Sequence, residues 1–138
     1  MRSATLLATF AALAGLAGCA ASERPYAPVK DIRYSAMGEA PFWLLTIGDD
    51  SILLSLVPEG RDPRTRFIDH AYSRVLPRVE GGVRTWESGA GAAVIAVRAA
   101  PGPCTNAGGA VYEDHVRIRL SGRELQGCGG RLLQKARG

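Results

Sequence analysis

Apolar residues predominate along residues 41–57, PFWLLTIGDDSILLSLV, on both sides of a short acidic segment. A two-residue loop at Asp49 and Asp50 would fold this segment into a β-hairpin with one apolar face and one mixed face. The apolar face would pair Trp43 with Leu56, Leu45 with Leu54, and Ile47 with Ile52. The pattern therefore predicts a hairpin whose Trp43 side lies in the core, and we interpret Trp43 as a packing residue rather than a ligand-stacking one.

Further strand signals follow at short intervals, separated by turn residues. They are RTRFI (64–68), VRTWES (83–88), AAVIAVRA (92–99) and HVRIRL (115–120). One segment, DHAYSRVL (69–76), fits a short helix or turn ended by Pro77, and the C-terminal RLLQKARG is too short for an isolated helix. Several short strands predict an all-β domain, either a small antiparallel β-barrel or a sandwich. We favour a barrel because closure removes exposed edges.

The N-terminus has the features of a secretory signal peptide. Arg2 supplies a positive start, and the apolar run over residues 6–18 is too short to span a bilayer comfortably. Its last residues and the next one, Leu16, Ala17, Gly18 and Cys19, resemble the bacterial lipobox. That resemblance implies cleavage before Cys19 and attachment of diacylglycerol to its sulfur. The alternative is an ordinary signal peptide with an incidental cysteine.

The lipobox resemblance sets the expected domain organisation. It implies a lipoprotein signal peptide over residues 1–18, a lipidated, proline-containing tether over 19–30, and one β domain over 31–138. Ala20 follows the cysteine where aspartate is the familiar inner-membrane retention signal, so the resemblance points to the outer membrane, facing the periplasm. The membrane, contacted through N-terminal acyl chains, is therefore the first expected partner.

Composition narrows the expected partners further. The 138 residues carry a formal net charge of +4, which suits anionic lipid or polysaccharide. The basic residues are interleaved with acidic ones and form no stripe with interleaved aromatics, so we expect no nucleic-acid binding.

Two cysteines remain once Cys19 carries lipid. Cys104 and Cys128 would lie in an oxidising compartment, and the simplest prediction is that they form a disulfide. A redox or metal pair lacks a nearby C-x-x-C motif or histidine cluster. If Gly122 and Arg123 form a tight turn, Cys128 falls on the same face as Arg117. The bridge then lies outside the barrel, or a bulge reverses the alternation.

Catalytic signals are weak. His70 follows Asp69, and His115 follows Glu113 and Asp114, but neighbouring residues on a strand point to opposite faces. If Val116 and Ile118 face the core, His115 lies on the outer face with the arginines of its strand. No G-x-S-x-G, H-E-x-x-H, P-loop or dinucleotide fingerprint is present, so we expect no enzyme activity, no cofactor and no metal.

Two short motifs carry a family resemblance. GEAPFW (38–43), with the strand after it, and a C-terminal segment with Cys104, Tyr112, Gly127 and Cys128 resemble uncharacterised bacterial envelope proteins with a G-x-E-P-F-W signature. These proteins often occur near or fused to META (HslJ-type) domains. Ala40 stands where the signature has Glu, and the segment after Cys104 lacks the family's Met-Ser. The resemblance implies a small β domain in the envelope and no known activity. Its candidate motif or binding residues are Gly38, Glu39, Pro41, Phe42, Trp43 and Tyr112.

Three functions remain open at this point. The first is a non-enzymatic lipoprotein that binds an envelope protein or supports envelope integrity. The second is an inhibitor of host c-type lysozyme, which would use a loop such as NAGGAVY (106–112). The third is a barrel for a small apolar ligand, with room left by small residues such as those of SGAGAAVIAV (88–97).

Overall fold

The computed structural model describes residues 29–57 and 67–137. Cys19, the signal segment and most of the expected tether lie outside the described residues. The described part is all-β, with a 3-10 turn at Gly91–Ala93. Its nine strands are β1 (Tyr34–Glu39), β2 (Phe42–Ile47), β3 (Ser51–Leu56), β4 (Ile68–Ser73), β5 (Arg78–Glu80), β6 (Val83–Ser88), β7 (Ile95–Thr105), β8 (Val111–Leu120) and β9 (Arg123–Gln134).

The strands form a single antiparallel sheet that curls into a half-barrel. The order is β4-β3-β2-β1-β9-β8-β7-β6-β5, so β1 pairs with β2 on one side and with the C-terminal β9 on the other. The two ends of the sheet approach each other. Ser88 Oγ of β6 donates a hydrogen bond of 2.6 Å to the Ser73 carbonyl of the edge strand β4. The curl therefore wraps one face of the sheet around an interior.

Alternate residues of most strands fill that interior. Trp43, Ile52, Leu54, Ile95, Val97 and Ile118 are fully buried there, and Trp86 is 3 % exposed. Each lies directly opposite an apolar residue of a neighbouring strand, on the same face of the sheet. The concave face thus carries the hydrophobic core, and the convex face carries the intervening polar residues.

The expected β2–β3 hairpin is confirmed in its register. Trp43 lies opposite Leu56, Leu45 opposite Leu54, and Ile47 opposite Ile52. The expected outer face of β8 is also confirmed, since His115, Arg117 and Arg119 are exposed while Val116 and Ile118 are buried.

The helix or turn expected over 69–76 is wrong. Residues 68–73 form β4, in which Ile68, His70 and Tyr72 lie opposite Leu56, Leu54 and Ile52. Pairing with a strand already in place outweighs the weak local preference of this segment. The strand expected over 64–68 contributes only Ile68 to β4, and residues 64–66 are outside the described part. The C-terminal segment extends β9 to Gln134.

The β8–β9 turn lies one residue earlier than expected. Its central residues are Ser121 and Gly122, both at positive φ, and Ile118 rather than Leu120 lies opposite Leu125. Cys128 consequently lies opposite His115, two positions from Arg117 and on the same face. No helix within the described ranges is long and apolar enough to cross a membrane.

Candidate functional site

The first motif packs a tryptophan against two glycines. Gly38 lies opposite Trp43 in the β1–β2 register, and a Cβ on Gly38 would overlap the indole nitrogen. A Cβ on Gly127 would overlap the Met37 carbonyl and come within 2.7 Å of Trp43 Cζ2. Both glycines therefore make room for the ring, and the interpretation of Trp43 as a core residue is confirmed. Its Nε1 has no hydrogen-bond acceptor within the described part of the chain.

Glu39 joins this motif to a distant turn. The β1–β2 turn consists of Ala40 and Pro41, joined by a cis peptide bond, and it places Glu39 opposite Phe42. Glu39 Oε2 accepts a hydrogen bond of 2.8 Å from the Ala107 amide, in the β7–β8 turn. The role visible for Glu39 is therefore to position that turn.

The β7–β8 turn is also fixed from within. The Asn106 amide donates to the Ala110 carbonyl at 2.9 Å, and Asn106 Oδ1 accepts from the Ala110 amide at 2.9 Å. Residues 107–109, between these bonds, are exposed. The turn is thus a defined, exposed loop.

The second motif meets the first on the outer side of the sheet. Cys104 and Cys128 form a disulfide with their Cα atoms 5.5 Å apart, which confirms the expected pairing. Cys128 lies opposite Met37 of β1, and Tyr112 Oη donates to Met37 Sδ at 3.7 Å. Both half-cystines are buried but stand outside the core cluster. The bridge therefore lies outside the barrel interior, the first of the two alternatives open from the sequence, and β7 carries a bulge before Cys104.

A buried ionic cluster was not predicted from the sequence. Asp114 of β8 has a side chain 5 % exposed, and its Oδ2 accepts from Arg84 at 2.7 Å and from Tyr34 Oη at 2.9 Å. The Arg84 guanidinium lies 4.7 Å from the centre of the Tyr34 ring and 5.7 Å from that of Trp86. Glu113 extends the cluster, with Oε1 3.9 Å from Arg84.

This cluster is internally compensated. Burial, followed by the hydrogen bond to Asp114, raises the pKa of Tyr34 well above its usual range, so the phenol is neutral at physiological pH. Asp114 gives its carboxylate to two protein donors and is almost fully enclosed. The arrangement joins β1, β6 and β8 through Tyr34, Arg84 and Asp114. Neither Asp114 nor Tyr34 is free to act as a base or a nucleophile.

A signal for this cluster is present in the alternation. Asp114 has the same phase as Val116 and Ile118, and Arg84 has the same phase as Trp86. Each charged residue therefore had to lie on the core face, where it needs a partner of opposite charge.

The two histidines do not pair with their neighbouring acids. His70 lies opposite Leu54, whereas Asp69 on the other face accepts from Ser55 Oγ at 2.6 Å. His115 is exposed on the convex face, away from the buried Asp114 carboxylate. Within the described ranges, no group of three or more His, Cys, Asp or Glu residues is placed to bind a metal ion.

The small-residue segment 88–97 lies largely at the surface. Gly89, Ala90 and Gly91 are exposed around the 3-10 turn, and Ile95 and Val97 pack in the core. These small residues therefore do not line an interior space. Compared with known proteins, the chain matches no family model, no curated protein and no solved structure.

Proposed function

We propose that this chain is a lipid-anchored domain of the bacterial cell envelope with a non-catalytic binding role. In this proposal, acyl chains on Cys19 tether the half-barrel to the outer membrane, and the half-barrel faces the periplasm. The observation that carries it is the disulfide between Cys104 and Cys128. Such bonds persist in oxidising compartments, which a chain beginning with this N-terminal segment would reach by export.

The non-catalytic part rests on how the ionisable groups are used. The one almost fully enclosed carboxylate of the ionic cluster, Asp114, is bound by Arg84 and Tyr34. The motif residues Gly38, Glu39, Trp43 and Tyr112 make packing or positioning contacts. General acid–base catalysis needs a group that can reach a substrate proton, and these groups are already committed to protein contacts.

Acylation is tested with the full-length protein and a Cys19→Ser variant in cells given an alkyne fatty acid. We expect the wild-type protein to incorporate the label and to fractionate with membranes, and the variant to lose both properties. Equal labelling of the two proteins would refute the anchor. Cys104→Ser with Cys128→Ser is the matched control, since it removes two cysteines and should leave labelling intact.

The β7–β8 turn favours a second candidate, inhibition of a c-type lysozyme by loop insertion. Residues 107–109 are exposed while Asn106 and Glu39 fix the backbone around them, and a preordered loop loses little entropy on binding. Addition of the full-length protein should then inhibit lysozyme, and Glu39→Ala should weaken the inhibition. Unchanged lysozyme activity at excess protein would eliminate this candidate.

A further inference from the structure

A line of arginine and polar residues crosses the convex face of five strands. The registers place Arg78 opposite Thr85, Thr85 opposite Arg98, Arg98 opposite Arg117, and Arg117 opposite Gln126. We call these five residues the basic row. Neighbouring strands lie about 4.8 Å apart, so the row extends for about 19 Å around the half-barrel.

The row faces away from the core. Four of its members, on β6 to β9, are each next to a buried residue of the same strand: Trp86, Val97, Val116 and Leu125. Arg78 lies on the edge strand β5, whose three residues are all exposed. The row residues themselves are exposed, except for the half-buried Thr85. The Arg117 side chain is 61 % exposed. The guanidinium groups are therefore accessible to a ligand.

No carboxylate belongs to the row. Glu124, in the adjacent row, has its Oε1 4.0 Å from Arg117 Nε, and that oxygen accepts from Gln126 Nε2 at 3.2 Å. Glu80 and Glu87 also lie on neighbouring rows of this face. Within the described residues, Arg78 and Arg98 form no ion pair with a carboxylate.

The centre of the row is a like-charge pair. Arg98 and Arg117 are directly opposite each other on adjacent strands, an arrangement that destabilises a sheet. A shallow groove of about 330 Å³ runs beside them, lined also by His115 and Gln126. A second groove, of about 320 Å³, lies beside Arg78 and Thr85 and is also lined by Leu76 and by the carboxylate-bearing Glu87. An anion placed along these grooves would relieve the repulsion that the fold leaves in place.

We propose that the basic row binds a linear anionic glycan, a sugar polymer carrying carboxylate, sulfate or phosphate groups, laid across strands β5 to β9. Guanidinium groups would bind the acidic groups in bidentate fashion, and Thr85 and Gln126 would bond to sugar hydroxyls. The inference deepens the binding role proposed above and rests on it for the compartment in which such a polymer is met.

Two other polyanions fit the row less well. The row contains no aromatic side chain on which nucleic-acid bases would stack. A bilayer is flat, whereas the row follows the curl of the sheet, so its ends recede from a plane that touches its centre. A flexible polymer can follow the curve.

The test measures binding of the full-length protein, purified in neutral detergent, to a galacturonate hexamer and a heparin hexasaccharide, with neutral dextran as the blank. The test variant is Arg98→Gln with Arg117→Gln. The matched control is Lys135→Gln with Arg137→Gln, which removes the same charge from exposed positions of the C-terminus. We expect the test variant to raise Kd by about tenfold or more and the control to change it less than about twofold.

The test variant should fold, because it removes a repulsive pair; its circular dichroism should match the wild type, and its urea midpoint should be no lower than that of the wild type. A second measurement needs no variant: titration of the wild type with the hexamer should shift amide resonances of Thr85, Arg98, Arg117 and Gln126. Shifts confined to other residues would overturn the inference, as would an equal loss in both variants or no binding.

Two further arms distinguish the ligand class. Phosphatidylglycerol vesicles and single-stranded DNA are tested with the same variants. All of them have the same N-terminal segment, so any membrane binding by that segment contributes equally to each. Tighter, row-dependent binding to either would overturn the glycan assignment. Acylation of Cys19 is scored separately: its absence would refute the proposed anchor and leave row binding in purified protein unchanged.

Discussion

The steric fit between Gly38 and Trp43 makes a quantitative prediction for Gly38→Ala. The added methyl group would overlap the Trp43 indole on one side and lie 2.5 Å from the Gln126 carbonyl oxygen on the other. Gly38 does not adopt a positive φ, so the cost is steric rather than conformational. Overpacking of this kind costs about 1–3 kcal/mol, and we expect about 3 kcal/mol because the fully buried ring and a main-chain group both resist movement.

The assay is urea unfolding of the full-length protein followed by far-ultraviolet circular dichroism. With an m-value of about 1.5 kcal/mol/M, the expected loss lowers the unfolding midpoint by about 2 M. Gly108→Ala is the matched control, since its new Cβ would meet only Asn106 Oδ1, at 3.5 Å, and its φ is not positive. That variant should stay within about 0.5 kcal/mol of the wild type. Equal midpoints for the two variants would refute the packing argument.

Three other predictions concern the contacts around the site. Reduction of the Cys104–Cys128 bond, which spans a sequence separation of 24, should lower the free energy of unfolding by about 3 kcal/mol, measured by urea unfolding with and without reductant. Because burial raises the pKa of Tyr34, its contribution to stability is complete below the ordinary tyrosine value of about 10 and is lost as the pH rises above it. In an absorbance titration Tyr34 should ionise only with unfolding, and Tyr34→Phe should remove that late step. Glu39→Ala should cost about 1 kcal/mol and speed amide exchange in the β7–β8 turn; unchanged exchange would argue against that hydrogen bond.

The β2–β3 hairpin was predictable because one register alone makes every pair on one face apolar. A slip of one residue would have moved Trp43, Leu45 and Ile47 to the outer face. β4 was not predictable in the same way, because His70 and Tyr72 of its inner face are less apolar than a core strand usually carries. Their pairing with β3 decides the structure, and that partner is visible only in the fold.

Two other strands, β5 and β1, left weak signals in the sequence. β5 has three exposed residues at the edge of the sheet, and nothing in Arg78–Glu80 distinguishes it from a turn. β1 alternates Tyr34, Ala36 and Gly38 toward the core, and two of these side chains are too small to produce a hydrophobic pattern.

The candidate site was predicted in part. The disulfide followed from the expected compartment, and its outer position survived a turn misplaced by one residue because the partner of Cys128 moved by two positions and kept its face. The Asp114 cluster was not predicted, because its partners Arg84 and Tyr34 are distant in the sequence and only His115 is adjacent. Asp114 lies on the core face because it is two residues from the buried Val116 on the same strand, whereas the adjacent His115 points to the opposite face.

We propose that the chain is exported, acylated on Cys19 and oxidised. The most direct test is the intact mass of the protein extracted from membranes of its native host. We predict a chain that begins at Cys19, carries the mass of attached acyl chains, and lacks the two hydrogens of free thiols at Cys104 and Cys128. A mass that includes residues 1–18 and no lipid would contradict the account.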